Sequence, residues 1–296
     1  SDLVIENYAA GILDRRGLGY EEMKVQNPNI VYVSMAGFGH TGRSHEYKTF
    51  GPVVHALSGL THMSGLPGKE PAVWRWAYMD DTGGMYAVMC ALAALHHRNA
   101  TGQGQYVDLA QVSAAMPLTG AAWLDYTVNG RTTRRDTFPA GNRTHLPGTP
   151  LLNDYRGPTT APHNTYRTAP GHDGAHNAWC AIACFSEEEW QRLALVMGNP
   201  LWASAPELRG VLARLEHQDQ LDTHIEAWTL QHDKYEVMRL CQAGGVRCMP
   251  VQDARDRVEV DAQINARGLL QEAPHPTIGP FRYQVLPFKG SDMDLG

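Results

Sequence analysis

Ile30-Val31-Tyr32-Val33-Ser34-Met35 runs through Ala36 into Gly37-Phe38-Gly39-His40-Thr41-Gly42. The first half is almost continuously apolar and β-branched. That pattern belongs to a strand covered on both faces, as in a parallel sheet with helices on each side. The second half is a glycine-rich loop at the strand's carboxyl end, the edge at which open α/β sheets bind ligands. Upstream, Leu3-Val4-Ile5 reads as a short strand, followed by a short helix near 11–16 and another near 20–26. Asn27-Pro28-Asn29 stops the second helix, because a residue before proline avoids helical geometry. Downstream, residues 50–60 and 80–98 read as helices, 105–109 as a strand and 112–129 as a further helix. This alternation predicts a Rossmann-like, parallel-sheet α/β domain.

Past residue 130 the composition changes. Residues 131–176 are rich in Pro, Gly, Thr, Asn and Arg and show little periodicity, as a connecting segment would. Residues 177–185 read as a strand. Ser186, with Glu189 three positions on, is a capping box that opens a helix to Met197. Helices near 206–214, 217–231 and 233–243 follow, then an extended Met249-Pro250-Val251 and a last strand at 280–288. The second part is therefore expected to be a smaller α+β domain.

The chain has 296 residues, 43% of them hydrophobic, and a net charge of −6. That length suits two domains. The acidic balance offers no basic face for nucleic acid, and Arg15-Arg16 and Arg131, Arg134 and Arg135 read as solvated surface. No apolar run reaches the ~20 residues that span a bilayer. The longest, Met85 to Leu95, reads as a buried helix carrying Met85, Val88, Met89, Leu92 and Leu95 on its apolar face. The five cysteines are odd in number and scattered, and no Cys/His pair has zinc spacing, so no metal is expected. A reducing, cytoplasmic setting fits that cysteine usage.

The stretch Tyr78-Met79-Asp80-Asp81-Thr82-Gly83-Gly84-Met85 admits two readings. An aspartate ahead of a helix is an N-cap. It is also a carboxylate kept ionised by free backbone N–H groups and the helix dipole, beside glycines that let a bulky ligand approach. A carboxylate so placed is a candidate covalent nucleophile. Both readings are open on the residues alone.

Several ordered blocks resemble the class III CoA transferases, the CaiB/BaiF or formyl-CoA transferase-like family. They are Val4-Ile5-Glu6-Asn7-Tyr8, Leu18-Gly19-Tyr20-Glu21, Ser34 to Gly42, Ala56-Leu57-Ser58-Gly59, Asp80 with Gly84-Met85-Tyr86-Ala87, Leu92-Ala93-Ala94-Leu95, and Thr101-Gly102-Gln103-Gly104-Gln105 with Val107-Asp108. Weaker blocks lie at Phe185-Ser186 with Glu188-Glu189-Trp190, and from Gly244-Gly245-Val246 to Met249-Pro250-Val251.

The resemblance implies that Asp80 attacks an acyl-CoA, forms a mixed anhydride and then an aspartyl-CoA thioester, while Asp81 caps the helix. It also implies coenzyme A contacts from Asn7, Tyr8, Arg15, Gly39, His40 and Lys48. Coenzyme A enters as substrate rather than as a resident cofactor. Residues 1–130 are then the large CoA-binding domain, 131–176 a linker, 177–252 the small domain and 253–296 a return segment. Family members carry another βα region before the position of Leu3 and a segment beyond Lys289, so the chain is expected to be a fragment or half of a split enzyme. The family's partners imply an interlocked homodimer or a heteromer with a related subunit.

Three features bear on the choice of reaction. The racemases of the family pair the aspartate with a histidine whose register falls on Phe50, which cannot move a proton. His45 and His55 are near but out of register. The segment 157–174, where some members carry a glycine-rich flap, has Gly157, Gly171 and Gly174 but no glycine run. Trp74, Trp76 and Tyr78 alternate ahead of Asp80, as core residues or the wall of an acyl pocket, and Trp123 and Tyr126 read as core.

Overall fold

The computed structural model describes residues 1–64, 70–71, 77–130, 160–171, 174 and 177–292. These fall into two compact units, the first ending at 130 and the second starting at 160.

In the first unit β1 (Leu3–Glu6), β2 (Val31–Ala36) and β3 (Gln105–Ala110) form a parallel sheet in that order. The register pairs Glu6 with Ser34 and Ser34 with Asp108. All six residues of β2 are buried, as expected of the central strand of a covered sheet. Helix α1 (Tyr20–Gln26) connects β1 to β2. Helices α2 (Gly51–Leu57), α3 (Leu60–Met63) and α4 (Tyr78–Thr101) connect β2 to β3, and α5 (Gln111–Ala115) and α6 (Gly120–Asn129) follow.

Helix α4 packs on Val31 and Val33 through Ala87, Ala91 and Ala94. Their i, i+4, i+3 spacing makes one stripe of small side chains, so the helix lies close to the strand. Gly83 continues the stripe: a Cβ there would stand 2.7 Å from Met35 Sδ. The apolar face read from the sequence is therefore corrected. Met85, Val88, Met89 and Leu92 are 54–68% exposed, on the side away from the sheet. Hydrophobicity marks them, but alanine and glycine permit the close approach. Trp123 and Tyr126 of α6 are likewise exposed rather than core, while Ala122 is buried.

The second unit has an antiparallel sheet of β4 (His163–Arg167), β5 (Trp179–Ala183) and β6 (Arg247–Pro250), in that order. Helices α7 (Glu187–Val196), α8 (Val211–Glu216), α9 (Gln218–Thr229) and α10 (Lys234–Ala243) cover it. Then come α11 (Ala262–Arg267) and a hairpin of β7 (Leu270–Ala273) and β8 (Phe281–Gln284). The Ser186 cap forms, with the Glu189 N–H donating to Ser186 Oγ at 3.3 Å, while the Glu189 carboxylate accepts from the N–H of Phe185 at 2.6 Å rather than from that of Ser186, so the box is only half made. Strand β4 lies inside the stretch read as linker. His-Asn-Thr-Tyr-Arg has no alternating apolar face, and only Tyr166 is fully buried, so pairing with β5 makes it a strand. Asp222 of α9 accepts from Tyr166 OH and from Asn164 Nδ2, both at 2.7 Å, and ties that helix to the strand. Four of the five cysteines are buried here, and the fifth, Cys90, is partly buried in α4. Burial pushes the Cys184 thiol up to about 12.

Candidate active site

The parallel sheet brings the carboxyl ends of β1, β2 and β3 to one edge. Glu6 closes β1 and is only 8% exposed. A carboxylate so covered needs donors. Ser34 Oγ donates to Glu6 Oε1, and the Tyr8 N–H donates to Oε2 at 2.8 Å. His40 Nε2 lies 2.6 Å from Ser34 Oγ and 3.7 Å from Glu6 Oε1. Burial raises the Glu6 carboxyl above its ordinary range, against the pull of the Tyr8 N–H and His40.

The glycine-rich loop is anchored on the next strand. The His40 N–H donates to Asp108 Oδ1 at 2.8 Å, and Thr41 Oγ1 donates to Oδ2 at 3.1 Å. Gly39 makes this possible. Its φ is +77°, and a Cβ would lie 2.9 Å from Asp108 Oδ1 and 3.3 Å from Ala110 Cβ. Below the loop Tyr20, Tyr32 and Tyr106 form an aromatic cluster with centroids 5.4 to 6.1 Å apart. With Glu6, Asp14 and His40 they line a cleft of about 210 Å³. Burial, then the nearby Glu6, pushes the Tyr32 phenol up to about 12, so it is neutral at physiological pH and donates to the Leu18 carbonyl at 3.1 Å.

Asp80 is tied to the residue that follows β3. It is exposed, in the first turn of α4, whose N-cap is Ala77 with no side-chain cap. Asp80 and Asp81 are thus both first-turn acids favoured by the helix dipole, and the expected capping role of Asp81 is corrected. The Asp80 N–H donates to the Ala77 carbonyl at 2.8 Å. Gln111, the first residue after β3, donates from Nε2 to Asp80 Oδ1 at 2.8 Å. Asp80 Oδ2 accepts no side-chain hydrogen bond among the described residues. It faces Gly51 instead, where a Cβ would lie 3.2 Å from Oδ2, 2.9 Å from Ala77 Cβ and 3.3 Å from Ala77 Cα.

Gly51→Ala should therefore press on the helix terminus that carries Asp80. Overpacking of this kind costs ~1–3 kcal/mol. Urea unfolding of the variant should show a loss in that range, and an unchanged midpoint would mean that α4 yields freely. Gly84, in contrast, has open space where a Cβ would be. Of the two glycines that sequence reading gave to ligand approach, Gly83 serves packing and Gly84 faces space.

The other expected contacts fall around this edge. Asn7 and Tyr8 follow β1 and are exposed. Gly39 and His40 belong to the Asp108-anchored loop. Arg15 lies exposed in the one-turn helix Asp14–Arg16, and Lys48 is exposed in the connection from β2 to α2. Among the described residues, no hydrogen bond or ion pair joins Arg15 or Lys48 to Asp80, Glu6 or Asp108. His55 is buried against Thr61, with Nδ1 2.8 Å from Oγ1, and burial lowers its pKa. His45 Nδ1 is 2.7 Å from the Gly42 carbonyl. Phe50 is 66% exposed and is the extended residue just before α2. Trp74, Trp76, Arg131, Arg134, Arg135 and Gly157 lie outside the described residues. Among the described residues no helix is long and apolar enough to cross a membrane, and no group of three or more His, Cys, Asp or Glu side chains is placed to hold a metal ion.

Sequence reading missed Gln111, Glu6, Ser34, Asp108 and Gly51 as parts of the site. A charged residue ending a strand was a visible signal for Glu6. For Gln111 and Gly51 only their distant contacts reveal the role.

The profile of CoA-transferase family III matches residues 1–295. The succinyl-CoA--D-citramalate CoA-transferase of Chloroflexus aurantiacus is 30% identical over 283 residues, which are 96% of this chain and 64% of that protein. The formyl-CoA:oxalate CoA-transferase of Afipia carboxidovorans is 28% identical, over 98% of this chain and 68% of that protein. The crystal structure of a CAIB/BAIF family protein from Brucella suis superposes with a TM-score of 0.82 at 28% identity, covering 100% of this chain and 70% of that one. The chain thus spans 64% of the length of the Chloroflexus relative. By its sheet, its glycine-rich loop and a match over almost its whole length, the chain belongs to CoA-transferase family III.

Proposed function

We propose that this chain carries the catalytic chemistry of a CoA transferase, moving coenzyme A from an acyl-CoA donor to a carboxylic acid through a covalent intermediate on Asp80. The observation that supports it best is the carboxylate itself. It is exposed at the head of a 24-residue helix, with Oδ1 held by Gln111 and Oδ2 beside Gly51 without a side-chain donor among the described residues. A carboxylate so placed can act as a covalent nucleophile.

In this reading Asp80 attacks the thioester carbonyl and expels the CoA thiolate, leaving a mixed anhydride. The thiolate then attacks the aspartyl carbonyl to give aspartyl-CoA and releases the first acid. The acceptor carboxylate reverses both steps. Asn7, Tyr8, Gly39 and His40 line the pantetheine path, and Arg15 and Lys48 supply charge to the phosphates. The assembly is an interlocked homodimer or a heteromer with a related subunit, in a cytoplasmic setting.

The test is trapping. The chain is mixed with succinyl-CoA or formyl-CoA, quenched with hydroxylamine and digested, and the hydroxamate is located by mass spectrometry. It should appear on the peptide that holds Asp80 and vanish in Asp80→Ala. A label elsewhere, or none, would refute the assignment. Racemisation is disfavoured by Phe50 and by the engaged positions of His45 and His55. Release of an α-proton to deuterated water without CoA movement would restore it.

A further inference from the structure

We propose that Gln111 is a catalytic residue that stabilises the oxyanion formed on Asp80 itself. The proposal rests on the Asp80 nucleophile and says which oxygen reacts and what its neighbour does. The carboxylate is held asymmetrically. Oδ1 accepts from Gln111 Nε2 at 2.8 Å, and Oδ2 lies over Gly51 with no side-chain donor among the described residues. A lone pair engaged by an amide N–H is the poorer nucleophile, so Oδ2 attacks.

The consequence follows by conservation of atoms. The Oδ2–acyl bond forms, the acyl C–S bond breaks, and the thiolate leaves. Oδ2 is now the bridging oxygen of the anhydride, and Oδ1 is the carbonyl oxygen of the aspartyl half. When the thiolate attacks Cγ, the S–Cγ bond forms and the π electrons move onto Oδ1. That negative charge develops where the Gln111 N–H already points. The Cγ–Oδ2 bond then breaks, and the first acid departs with Oδ2. Attack of the acceptor carboxylate on Cγ of aspartyl-CoA places charge on Oδ1 again. Gln111 thus serves both attacks on Cγ but neither attack on a substrate carbonyl. It is suited to do so, being 8% exposed and rooted at the end of β3, so its amide is positioned before the reaction begins.

The test separates the two kinds of step. The chain is mixed with succinyl-CoA alone in a single turnover, and the Asp80 peptide is followed by mass. It is read as the acyl adduct and as the CoA adduct. In wild type the CoA adduct should dominate. In Gln111→Met, which keeps the volume and removes the donor, conversion of acyl adduct to CoA adduct should slow ~100-fold, as for loss of one oxyanion donor, while the acyl adduct forms at close to the wild-type rate. Gln111→Glu keeps a polar side chain at the site should Gln111→Met not fold. Ionised it donates nothing, and protonated it donates an O–H, so its conversion rate should recover relative to wild type as pH falls toward ~5. Equal slowing of both adducts, wild-type conversion in Gln111→Met, or a Gln111→Glu deficit independent of pH would each overturn the role of Gln111 and leave Asp80 standing. Absence of both adducts in wild type would instead remove the Asp80 reading, and this proposal with it.

Discussion

Asp80→Asn should lower CoA-transfer turnover at least ~10⁴-fold, a barrier increase of about 5.5 kcal/mol. The substitution is nearly isosteric. Its side-chain oxygen can still accept from Gln111, as Oδ1 does now at 2.8 Å. What it removes is the charge and the second carboxylate oxygen, so no anhydride forms. Fold stability should scarcely change. Asp80 is exposed, and an acid in a helix's first turn is worth only ~0.3–1 kcal/mol through the dipole. The loss should therefore appear in turnover, with the thermal midpoint nearly unmoved. Steady-state transfer from succinyl-CoA to a panel of dicarboxylic acids, run beside a melting curve, checks both. Turnover above ~1% of wild type with an intact fold would show that another group forms the covalent bond. Asp80→Glu should not rescue, because an added methylene carries the carboxylate away from Gln111.

How far the sequence reveals this arrangement depends on how local each signal is. Strand β2 and its glycine loop are legible because burial on both faces and the need for positive φ are written in consecutive residues. The Ser186 cap is legible for the same reason. Asp80 stands out through its position at the start of a helix and the family blocks around it. Its partners are less visible. Gln111 lies 31 residues away in sequence, and nothing in Leu109-Ala110-Gln111-Val112 distinguishes it from the start of an ordinary helix. Gly51 matters through a contact with Ala77 and Asp80 that only folding creates. The inner face of α4 misleads, because hydrophobicity marks Met85, Val88, Met89 and Leu92 while the sheet is met by alanines. Strand β4 is hidden because its partner makes it a strand.

The largest stability effect outside the first unit should come from Arg214, which is 1% exposed in the second. Its Nε donates to the Ala161 carbonyl at 3.0 Å, and NH1 donates to the Leu208 carbonyl at 3.3 Å. NH2 and NH1 also reach Glu187, at 2.8 and 3.3 Å, and the guanidinium carbon stands 5.0 Å from the Trp190 ring centre. The ion pair is the lesser part, since the Glu187 side chain is 45% exposed and rehydrates when its partner goes. The carbonyls cannot recover so easily, because Ala161 and Leu208 are each 1% exposed. Arg214→Met keeps much of the apolar stem but leaves two buried acceptors without donors, at ~1–3 kcal/mol each. Burial of the thioether offsets some of this, so the net loss should be about 3 kcal/mol. Glu187→Gln, by contrast, should cost under ~1 kcal/mol. Urea unfolding followed by tryptophan fluorescence, with Trp190 and Trp202 in this core, reads both. If the two variants lost equal stability, the ion pair rather than the two carbonyls would be what Arg214 holds.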